Sequence, residues 1–285
     1  MEPIAPEVVA RANQKSRRLR ELIAAPEILV MPGAYDVLSA LLFEQMGFKA
    51  IQGTSGGIAA SLGYPDGEVI GRDLFVEISG KLAAAVAVPF NADGERGYGD
   101  EAEIRNTVRA LVARGVAGMN LEDGAPETRG LAPLGEQLRK ISAVMETKRA
   151  LASGFFLNAR VDAFHVIDDP RQALAEAVRR GNAYAEAGAD CIFYLNLHAR
   201  DAIATVVREV KAPVSILAGA QSPSVAELQD LGVARVSYGS GFLKAAIGAT
   251  RRLAREILEK GTASALKEGM QTPEISALVA KKKTA

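Results

Sequence analysis

Amphipathic stretches alternate with short apolar runs along this chain, and a glycine often stands between the two. Gly47, Gly115, Gly188 and Gly232 each come just before an apolar run. Glycine adopts the left-handed backbone that ends a helix without a steric clash from Cβ. The repeated order of helix, glycine and strand predicts parallel strands joined by crossover helices.

Eight strands are predicted, at residues 28–31, 50–53, 88–93, 118–122, 155–160, 191–194, 214–218 and 236–238. An amphipathic helix over 6–23 is expected to close the bottom of a barrel. A final barrel helix is expected at 241–258, and more helix at about 263–280. This order predicts a single (β/α)8 TIM barrel over residues 1–285. A doubly wound sheet is the alternative, but its glycine fingerprint is missing after the first strand.

Composition narrows the class of protein. Of the 285 residues, 48% are hydrophobic, which is enough for a large core. Lys plus Arg and Asp plus Glu are both 34, so we expect neither a nucleic acid nor an anionic membrane as partner. A charged start and the lack of an apolar run of about 20 residues predict a soluble, cytoplasmic protein. The single cysteine, Cys191, lies in an apolar run and is expected to be a buried core thiol.

Polar residues stand where several predicted strands end. They are Asn91, Asp93, Glu95 and Arg96 after the third strand, Asn120, Glu122 and Asp123 after the fourth, Asn158, Arg160 and Asp162 after the fifth, and Tyr194 and Asn196 after the sixth. The carboxyl ends of barrel strands form one mouth, so these groups predict a site there. Each also has a structural alternative: Asp93 and Asp123 could cap turns, and Arg160 could simply pair with Asp162.

The residue types suggest what such a site would bind. Clustered Asp and Glu without His or Cys favour a hard cation such as Mg²⁺. The second strand runs into Thr54-Ser55-Gly56-Gly57, whose backbone N–H groups could bind a carboxylate or an oxyanion. A plain turn is an equally good interpretation of that stretch.

In combination, these motifs resemble the isocitrate lyase/phosphoenolpyruvate mutase superfamily, from Met31 to about Leu258. The stretches that carry the resemblance are Pro32-Gly33-Ala34-Tyr35-Asp36, Thr54-Ser55-Gly56-Gly57 with Leu62-Gly63-Tyr64-Pro65-Asp66, Asn91-Ala92-Asp93 with Gly97-Tyr98-Gly99, Leu121-Glu122-Asp123, and Asn158-Ala159-Arg160-Val161-Asp162-Ala163.

The resemblance implies a fold, an assembly and a chemistry. Members of this superfamily are (β/α)8 barrels that exchange a helix between paired subunits, usually as tetramers. It therefore implies a dimer of dimers in which the helical region 241–285 is exchanged with a partner subunit. Members bind Mg²⁺ and a small 2-oxo acid or its enolate, and they make or break a C–C or P–C bond next to the carbonyl.

Roles for individual residues follow from the same resemblance. Asp93 and Glu122 would hold the metal through its water molecules, and Asp66 would assist them. Arg160 would contact the carboxylate or carbonyl oxygen of the substrate. The catalytic candidates are therefore Arg160, Asp66 and Glu122, the metal candidates are Asp93, Glu122 and Asn91, and the substrate-binding candidates are Thr54, Ser55, Gly56, Gly57, Arg160 and Asn196.

Two departures from the superfamily pattern affect the prediction. Asn91 stands where the usual Asp-Ala-Asp motif has the aspartate that binds the metal directly, and the turn after Asp93 is two residues longer. Weaker Mg²⁺ binding is expected, since hard cations depend on ligand charge. The loop 124–133 also lacks the cysteine and lysines of the methylisocitrate and isocitrate lyases.

The expected activity is that of a lyase or hydrolase of 2-oxo acids. Without a cysteine acid, decarboxylation, hydrolysis or cleavage with a proton from water is favoured over methylisocitrate-type cleavage. Two alternatives remain open. One is a binder of oxo acids without catalysis. The other is a phosphate-handling barrel that uses Gly219 and Gly239-Ser240-Gly241 after the last two strands.

Overall fold

The computed structural model describes residues 4–280, in which strands and helices alternate. The strands are β1 (Leu29–Met31), β2 (Gly33–Ala34), β3 (Ile51–Gly53), β4 (Phe90–Asp93), β5 (Gly118–Glu122), β6 (Gly124–Ala125), β7 (Gly130–Leu131), β8 (Phe156–Val161), β9 (Cys191–Tyr194), β10 (Val214–Leu217) and β11 (Arg235–Ser237). The α-helices are α1 (Pro6–Ile23), α2 (Val37–Gln45), α3 (Ser55–Ser61), α4 (Arg72–Ala85), α5 (Glu101–Ala113), α6 (Leu134–Ala150), α7 (Ala163–Val166), α8 (Pro170–Glu186), α9 (Arg200–Glu209), α10 (Val225–Asp230), α11 (Gly241–Lys260) and α12 (Thr272–Ala280). A short 3-10 helix covers Ser264–Glu268.

Nine of the strands form one parallel sheet that nearly closes into a barrel. β1 pairs with the last strand, β11, whereas β2 pairs with β3. Only Pro32, which has no N–H to donate to the ladder, separates β1 from β2. One chain segment therefore joins both edges of the sheet. The strands and their intervening helices confirm the predicted TIM-barrel fold.

Helix α1 covers the amino-terminal end of the barrel, as the sequence predicts. Its buried residues Leu19, Leu22 and Ile23 form an apolar cluster with Leu29 and Met31 of β1 and with residues at or just before the starts of other strands, namely Ala50, Ala117, Phe156 and Cys191. The Ser16 hydroxyl donates to the carbonyl oxygen of Ala117 at 2.7 Å. The polar strand ends therefore remain accessible only at the opposite end of the barrel. Cys191 is fully buried, as expected.

Three regions differ from the predicted elements. Strand β2, at Gly33–Ala34, is a ninth strand of the sheet beside the eight predicted. The helix expected at about 263–280 is interrupted, because the 3-10 helix ends at Glu268 and α12 begins only at Thr272. Gly269 and Pro273 flank this break, and both residues disfavour a continuous helix. The loop 124–133 contains an antiparallel hairpin, β6–β7, whose two-residue strands are too short to show a periodic pattern. Within residues 4–280, no helix is long and apolar enough to cross a membrane.

Candidate active site at the carboxyl end of the barrel

Polar residues of three neighbouring strands meet at the carboxyl-terminal end of the barrel. Parallel pairing aligns Asp93 of β4 with Asn120 of β5, and Asn120 with Asn158 of β8. It also aligns Glu122 with Arg160. Aligned residues of neighbouring strands project from the same face of a sheet. The predicted carboxylates and the predicted guanidinium are therefore brought together.

Arg160 lies at the centre of a buried ion-pair cluster. Its Nη1 contacts Glu122 Oε2, and the two side chains are 16% and 15% exposed. Its Nε and Nη2 donate to the two carboxylate oxygens of Asp162, at 2.6 and 2.9 Å. Burial alone would lower the pKa of Arg160, but the Glu122 and Asp162 carboxylates raise it. The guanidinium is thus a fixed positive charge with a set orientation.

Asp93 is oriented by neutral donors from two neighbouring strand ends. Its Oδ2 accepts hydrogen bonds from the backbone N–H and the hydroxyl of Ser55, both at 3.0 Å. Its Oδ1 accepts from Asn120 Nδ2 at 3.1 Å. Neither donor carries a charge. Asp93 is therefore held in one orientation by neutral partners on both of its oxygens.

Glu95 also belongs to this cluster. It is one of the polar residues predicted at the barrel mouth, although no catalytic, metal or substrate role was assigned to it. The residue is only 4% exposed. Its Oε2 accepts from the backbone N–H of Glu68 at 2.6 Å, and its Oε1 accepts from the Tyr98 hydroxyl at 2.9 Å. The signal that could have revealed it is an acidic residue inside a glycine-rich turn that leaves a buried strand.

Burial raises the pKa of two carboxyl groups of the cluster. The pKa of Glu95 rises to about 7, and nearby Asp93 and Asp66 contribute to this increase. The pKa of Glu122 rises to about 8, because burial, together with the nearby carboxylates, outweighs the attraction of Arg160. Like charges held away from water oppose ionisation. Such shifts are typical of sites where charge is concentrated for function.

Backbone strain occurs at the same place. Glu68, Glu95 and Tyr98 all have left-handed backbone, with φ of 66°, 46° and 62°. For residues that carry a Cβ, this conformation costs about 1–3 kcal/mol each. Strain of this kind is found mainly at functional sites, where the surrounding contacts hold it in place. Here the contacts are the hydrogen bonds that Glu95 accepts from Glu68 and Tyr98.

Asn91 lies deeper in the barrel than the carboxylates, on the side away from the mouth. This position does not suit the metal-ligand role predicted for it. Its Nδ2 donates to Gln52 Oε1 and Asn120 Oδ1, both at 2.9 Å. Its Oδ1 has no hydrogen-bond partner within residues 4–280, and a Cβ placed on Gly118 would lie 2.8 Å from it. Two residues of a strand advance by about 6–7 Å, so Asn91 is one layer deeper than Asp93. Its amide oxygen faces the backbone of β5.

The buried amides of this deeper layer fix the orientation of Asn120. Its Oδ1 accepts from Asn91 at 2.9 Å and from Asn158 at 2.7 Å, so its Nδ2 is directed toward Asp93. Arg235 also reaches this layer and donates to Gln52 Oε1. Burial lowers the pKa of Arg235 to about 10, and the side chain stays protonated at neutral pH.

The stretch Thr54-Ser55-Gly56-Gly57 forms the start of helix α3 and is not a free turn. Thr54 caps the helix, and its Oγ1 accepts from the Gly57 N–H at 3.3 Å. The Ser55 N–H donates to Asp93. Two of the three backbone amides expected to bind an oxo acid are thus already engaged within the protein, which corrects the expectation of a nest of free N–H groups.

Asp66 and Asn196 lie farther out on the rim. Asp66 is exposed, and a Cβ on Gly56 would lie 2.7 Å from its Oδ2, so the carboxylate packs directly against that glycine. Asn196 is exposed as well, and its Nδ2 is 3.0 Å from Nδ1 of His165. The contact of Asn196 is thus with His165 and not with the Arg160 cluster.

The β6–β7 hairpin is tied to the carboxylate cluster through Arg96. Its guanidinium forms salt bridges at 3.1 Å with Glu127 of the hairpin and with Glu68. Glu68 also accepts the backbone N–H of Tyr98 at 2.7 Å. Loops that follow three different strands are therefore joined beside the buried Glu95.

Two of the glycines considered for phosphate binding, Gly219 and Gly239, make contacts within the protein. The Gly219 N–H donates to the Ser222 hydroxyl at 3.0 Å. The carbonyl oxygen of Gly239 would lie 1.9 Å from a Cβ on Gly33, so the two backbones meet where the barrel closes. The close approach to Gly33 explains the glycine at 239 without a phosphate, whereas a Cβ at Gly219 would meet nothing within 4 Å.

Comparison with known proteins places this arrangement in a family. Residues 19–258 match the family model described as phosphoenolpyruvate phosphomutase. The chain is 31% identical to 2-methylisocitrate lyase of Aeropyrum pernix over 255 residues, which cover 86% of this chain and 80% of that protein.

Solved structures agree with the sequence match. A putative lyase/mutase from Burkholderia cenocepacia J2315 matches with a TM-score of 0.88 and 32% identity, over 95% of this chain and 97% of that one. A phosphonopyruvate hydrolase in complex with oxalate and Mg²⁺ matches with a TM-score of 0.83 and 28% identity, over 94% and 96% of the two chains. The predicted resemblance is confirmed: this chain belongs to the phosphoenolpyruvate phosphomutase family, within the isocitrate lyase/phosphoenolpyruvate mutase superfamily.

Proposed function

We propose that this protein is an enzyme that binds a small 2-oxo acid together with Mg²⁺ and cleaves a C–C or P–C bond next to the carbonyl. The observation that carries this proposal is the convergence of Asp93, Glu95 and Glu122 around the fixed cation Arg160. The relatives named as lyases and hydrolases of small acids support the reaction class. The complex of phosphonopyruvate hydrolase with oxalate and Mg²⁺ supports the ligands.

The residues present fit a magnesium ion held mainly through water. Among residues 4–280, no three His, Cys, Asp or Glu side chains form a metal-binding group by themselves. Mg²⁺ usually keeps several waters and takes only one or two protein carboxylates. The cluster offers oxygen ligands only. Burial and the neighbouring carboxylates raise the pKa of Glu95 and Glu122, and a bound dication would favour their ionised forms. Asp93 would be the nearest ligand, with Glu122 and Glu95 holding its waters.

With these ligands, the acidic motif of the superfamily corresponds to Asp93 and Glu95 and not to Asn91 and Asp93. With Asp93 and Glu95 as its two acidic positions, Gly97-Tyr98-Gly99 follows without a lengthened turn. Asn91 then has a supporting role, since it orients Asn120 and through it Asp93. The motif would then keep two acidic side chains, and Mg²⁺ binding need not be weak.

Arg160 would hold the substrate and stabilise the enolate. A guanidinium has five N–H donors, and three of those of Arg160 are directed to Glu122 and Asp162. The remaining two are proposed to contact the carboxylate or the C2 oxygen of the oxo acid. The metal, when bound, would polarise the same oxygen as a Lewis acid. Preorganised positive charge would thus meet the negative charge that develops as the bond breaks.

Calorimetry with oxalate tests this proposal, because oxalate has the charge and shape of the enolate of pyruvate. Wild-type protein should bind oxalate in the presence of Mg²⁺, and EDTA should weaken that binding. Glu122→Gln should lower the affinity by about 10–100-fold. Glu146→Gln, at an exposed residue far along helix α6, is the matched control and should bind like wild type. Failure of the wild type to bind oxalate at any Mg²⁺ concentration contradicts the proposal.

Turnover separates an enzyme from a binder without catalysis. Wild-type protein should release a product from at least one member of a panel of small 2-oxo acids, 2-oxo phosphonates and 2-hydroxy diacids, followed by NMR. Oxalate binding without any turnover on this panel would favour the binder. The hairpin 124–131 contains no cysteine, so hydrolysis, decarboxylation or cleavage with a water proton are the reactions to examine first.

Assembly with further copies of this chain is also proposed, with residues 241–285 exchanged between subunits. Helix α11 has 20 residues and none of them is buried. Its Ile247, Ile257 and Leu258 are 59%, 48% and 86% exposed. An amphipathic helix without a buried face needs a partner surface. Residues 281–285 of the proposed exchanged region lie outside the described residues.

A further inference from the structure

We propose that Arg180 and Tyr184 of helix α8 form a positioning pair for the site. Through the buried carboxylate of Asp123, they orient Arg160 and fix the end of the β6–β7 hairpin. The inference rests on the substrate-binding role proposed for Arg160 above. Neither residue of the pair was a candidate in the sequence, because each lies on a helix far from the strand-end motifs.

The contacts of Asp123 carry the first step. Asp123 is fully buried. Its Oδ2 accepts from the Tyr184 hydroxyl at 2.6 Å and from Arg180 Nη1 at 3.0 Å. Its Oδ1 accepts from the backbone N–H of Asp162 at 2.8 Å. One carboxylate thus joins helix α8 to the end of strand β8.

The second step leads from Asp162 to Arg160. The carboxylate of Asp162 receives Nε and Nη2 of Arg160, at 2.6 and 2.9 Å. Asp162 has little freedom to move, since it is only 2% exposed and its carboxylate lies close against Gly124. Any displacement of Asp123 would therefore be passed to Asp162 and would turn the guanidinium of Arg160.

The third step leads from Asp123 to the hairpin. The Ala132 N–H donates to the backbone oxygen of Asp123 at 2.8 Å, and Arg180 Nη2 donates to the Ala132 oxygen at 2.8 Å. Ala132 directly follows strand β7. Both ends of the hairpin are thus held at Asp123 and Arg180.

Arg180 and Tyr184 are both buried, and Arg180 Nη1 donates to the Tyr184 hydroxyl at 3.0 Å. The Arg180 side chain is 6% exposed, and it also pairs with Glu176 one helical turn earlier. Removing its guanidinium would leave the Asp123 charge buried with one fewer donor, which is strongly unfavourable. The neighbouring Arg179 offers a matched control, because its side chain is 53% exposed and pairs only with Glu176 among the described residues.

The test compares Tyr184→Phe, Arg180→Met and Arg179→Met by oxalate calorimetry and by hydrogen exchange with mass spectrometry. Tyr184→Phe and Arg180→Met should weaken oxalate binding by about 3–30-fold, the range of mutations that act through a coupled network. They should speed amide exchange in peptides covering 123–133 and 158–162, with exchange in β10 unchanged. Arg179→Met should behave like wild type in both measurements.

A further variant separates positioning from a general loss of stability. Lysine in Arg180→Lys can still pair with Asp123, but it cannot also reach Ala132 and Glu176. Oxalate affinity should stay within about twofold of wild type, while exchange at 123–133 becomes faster. A purely structural role would instead change exchange across the whole barrel together.

Clear outcomes overturn the inference. It is wrong if folded Tyr184→Phe and Arg180→Met bind oxalate like wild type, or if their exchange at 123–133 does not change. If Arg180→Met does not fold, Tyr184→Phe decides, since it removes only one hydroxyl. If wild-type protein does not bind oxalate, the proposed function fails, and the exchange measurement still decides whether Arg180 and Tyr184 hold the hairpin.

Discussion

Individual residues of the site are held in fixed orientations by their hydrogen bonds and ion pairs. Asp93 is bound by Ser55 and Asn120, which are neutral donors, and Glu95 by the Tyr98 hydroxyl and a backbone N–H. Arg160 has two carboxylate partners, and burial strengthens its electrostatic effect because little water screens it. Replacing Arg160 would also leave the buried carboxylates of Glu122 and Asp162 without their cation, so some loss of stability should accompany the loss of ligand binding.

Arg160→Ala should lower turnover, or oxalate affinity where no substrate is yet known, by about 10²–10³-fold. The reason is the loss of a preorganised donor and positive charge at the developing enolate. Steady-state kinetics or calorimetry measures the loss, and circular dichroism should show an intact fold. Arg105→Ala, at an exposed salt bridge with Glu146, is the control. Normal turnover by Arg160→Ala shows that the assignment of Arg160 is wrong.

Cys191 should not react with a thiol reagent in the native protein. Its side chain is fully buried, and burial raises the pKa of the thiol to about 12. The reactive thiolate is therefore scarce at pH 8. An Ellman assay should find no reactive thiol in native protein and one per chain in guanidinium. Rapid labelling of the native protein contradicts the burial of Cys191 in the barrel.

Among the elements, helix α1 and the β1–β2 segment complete the barrel. Helix α1 covers its amino-terminal end, and the β1–β2 segment joins the two edges of the sheet. The helix fills the amino-terminal end with Leu19, Leu22 and Ile23, and the segment around Pro32 joins the first and last strands. Neither belongs to the candidate site. Both should nevertheless limit stability, because they determine whether the sheet closes around its core.

Leu19→Ala should destabilise the protein by about 2–5 kcal/mol, since Leu19 is fully buried and its loss leaves a cavity. Denaturant unfolding measures this change. Leu62→Ala, at a residue 44% exposed, is the control and should change the free energy of unfolding by no more than about 0.5 kcal/mol. An equal effect of the two substitutions would show that α1 does not cover the end of the barrel.

For the whole molecule, the exposed face of α11 has the largest consequence. If a second copy covers it, the protein should be an oligomer in light scattering coupled to size exclusion. Leu258→Glu should shift it toward monomer, because a buried charge at an interface is costly. Met46→Glu, at a residue 68% exposed near α2, is the control and should leave the mass unchanged. A monomeric wild type at all concentrations contradicts the proposed exchange.

Much of the barrel and part of the site could be predicted from residue patterns. Helix α1 and strands β5 and β9 begin and end where the sequence places them. Asp93, Glu122 and Arg160 were candidates because a buried strand has no packing reason to end in charged residues. The hairpin β6–β7 and the break before α12 were missed, since short elements carry too few residues to show a period.

The sequence by itself determined the alternation of strands and helices, and thereby the barrel and the end of it that carries chemistry. These follow from local hydrophobic periodicity and from the parallel direction of the strands. Only the tertiary structure decided that Glu95 joins the carboxylates, that Asn91 lies a layer deeper, and that Arg180 reaches Asp123. Depth along a strand and contacts between distant helices depend on strand register and packing, which residue spacing alone does not encode.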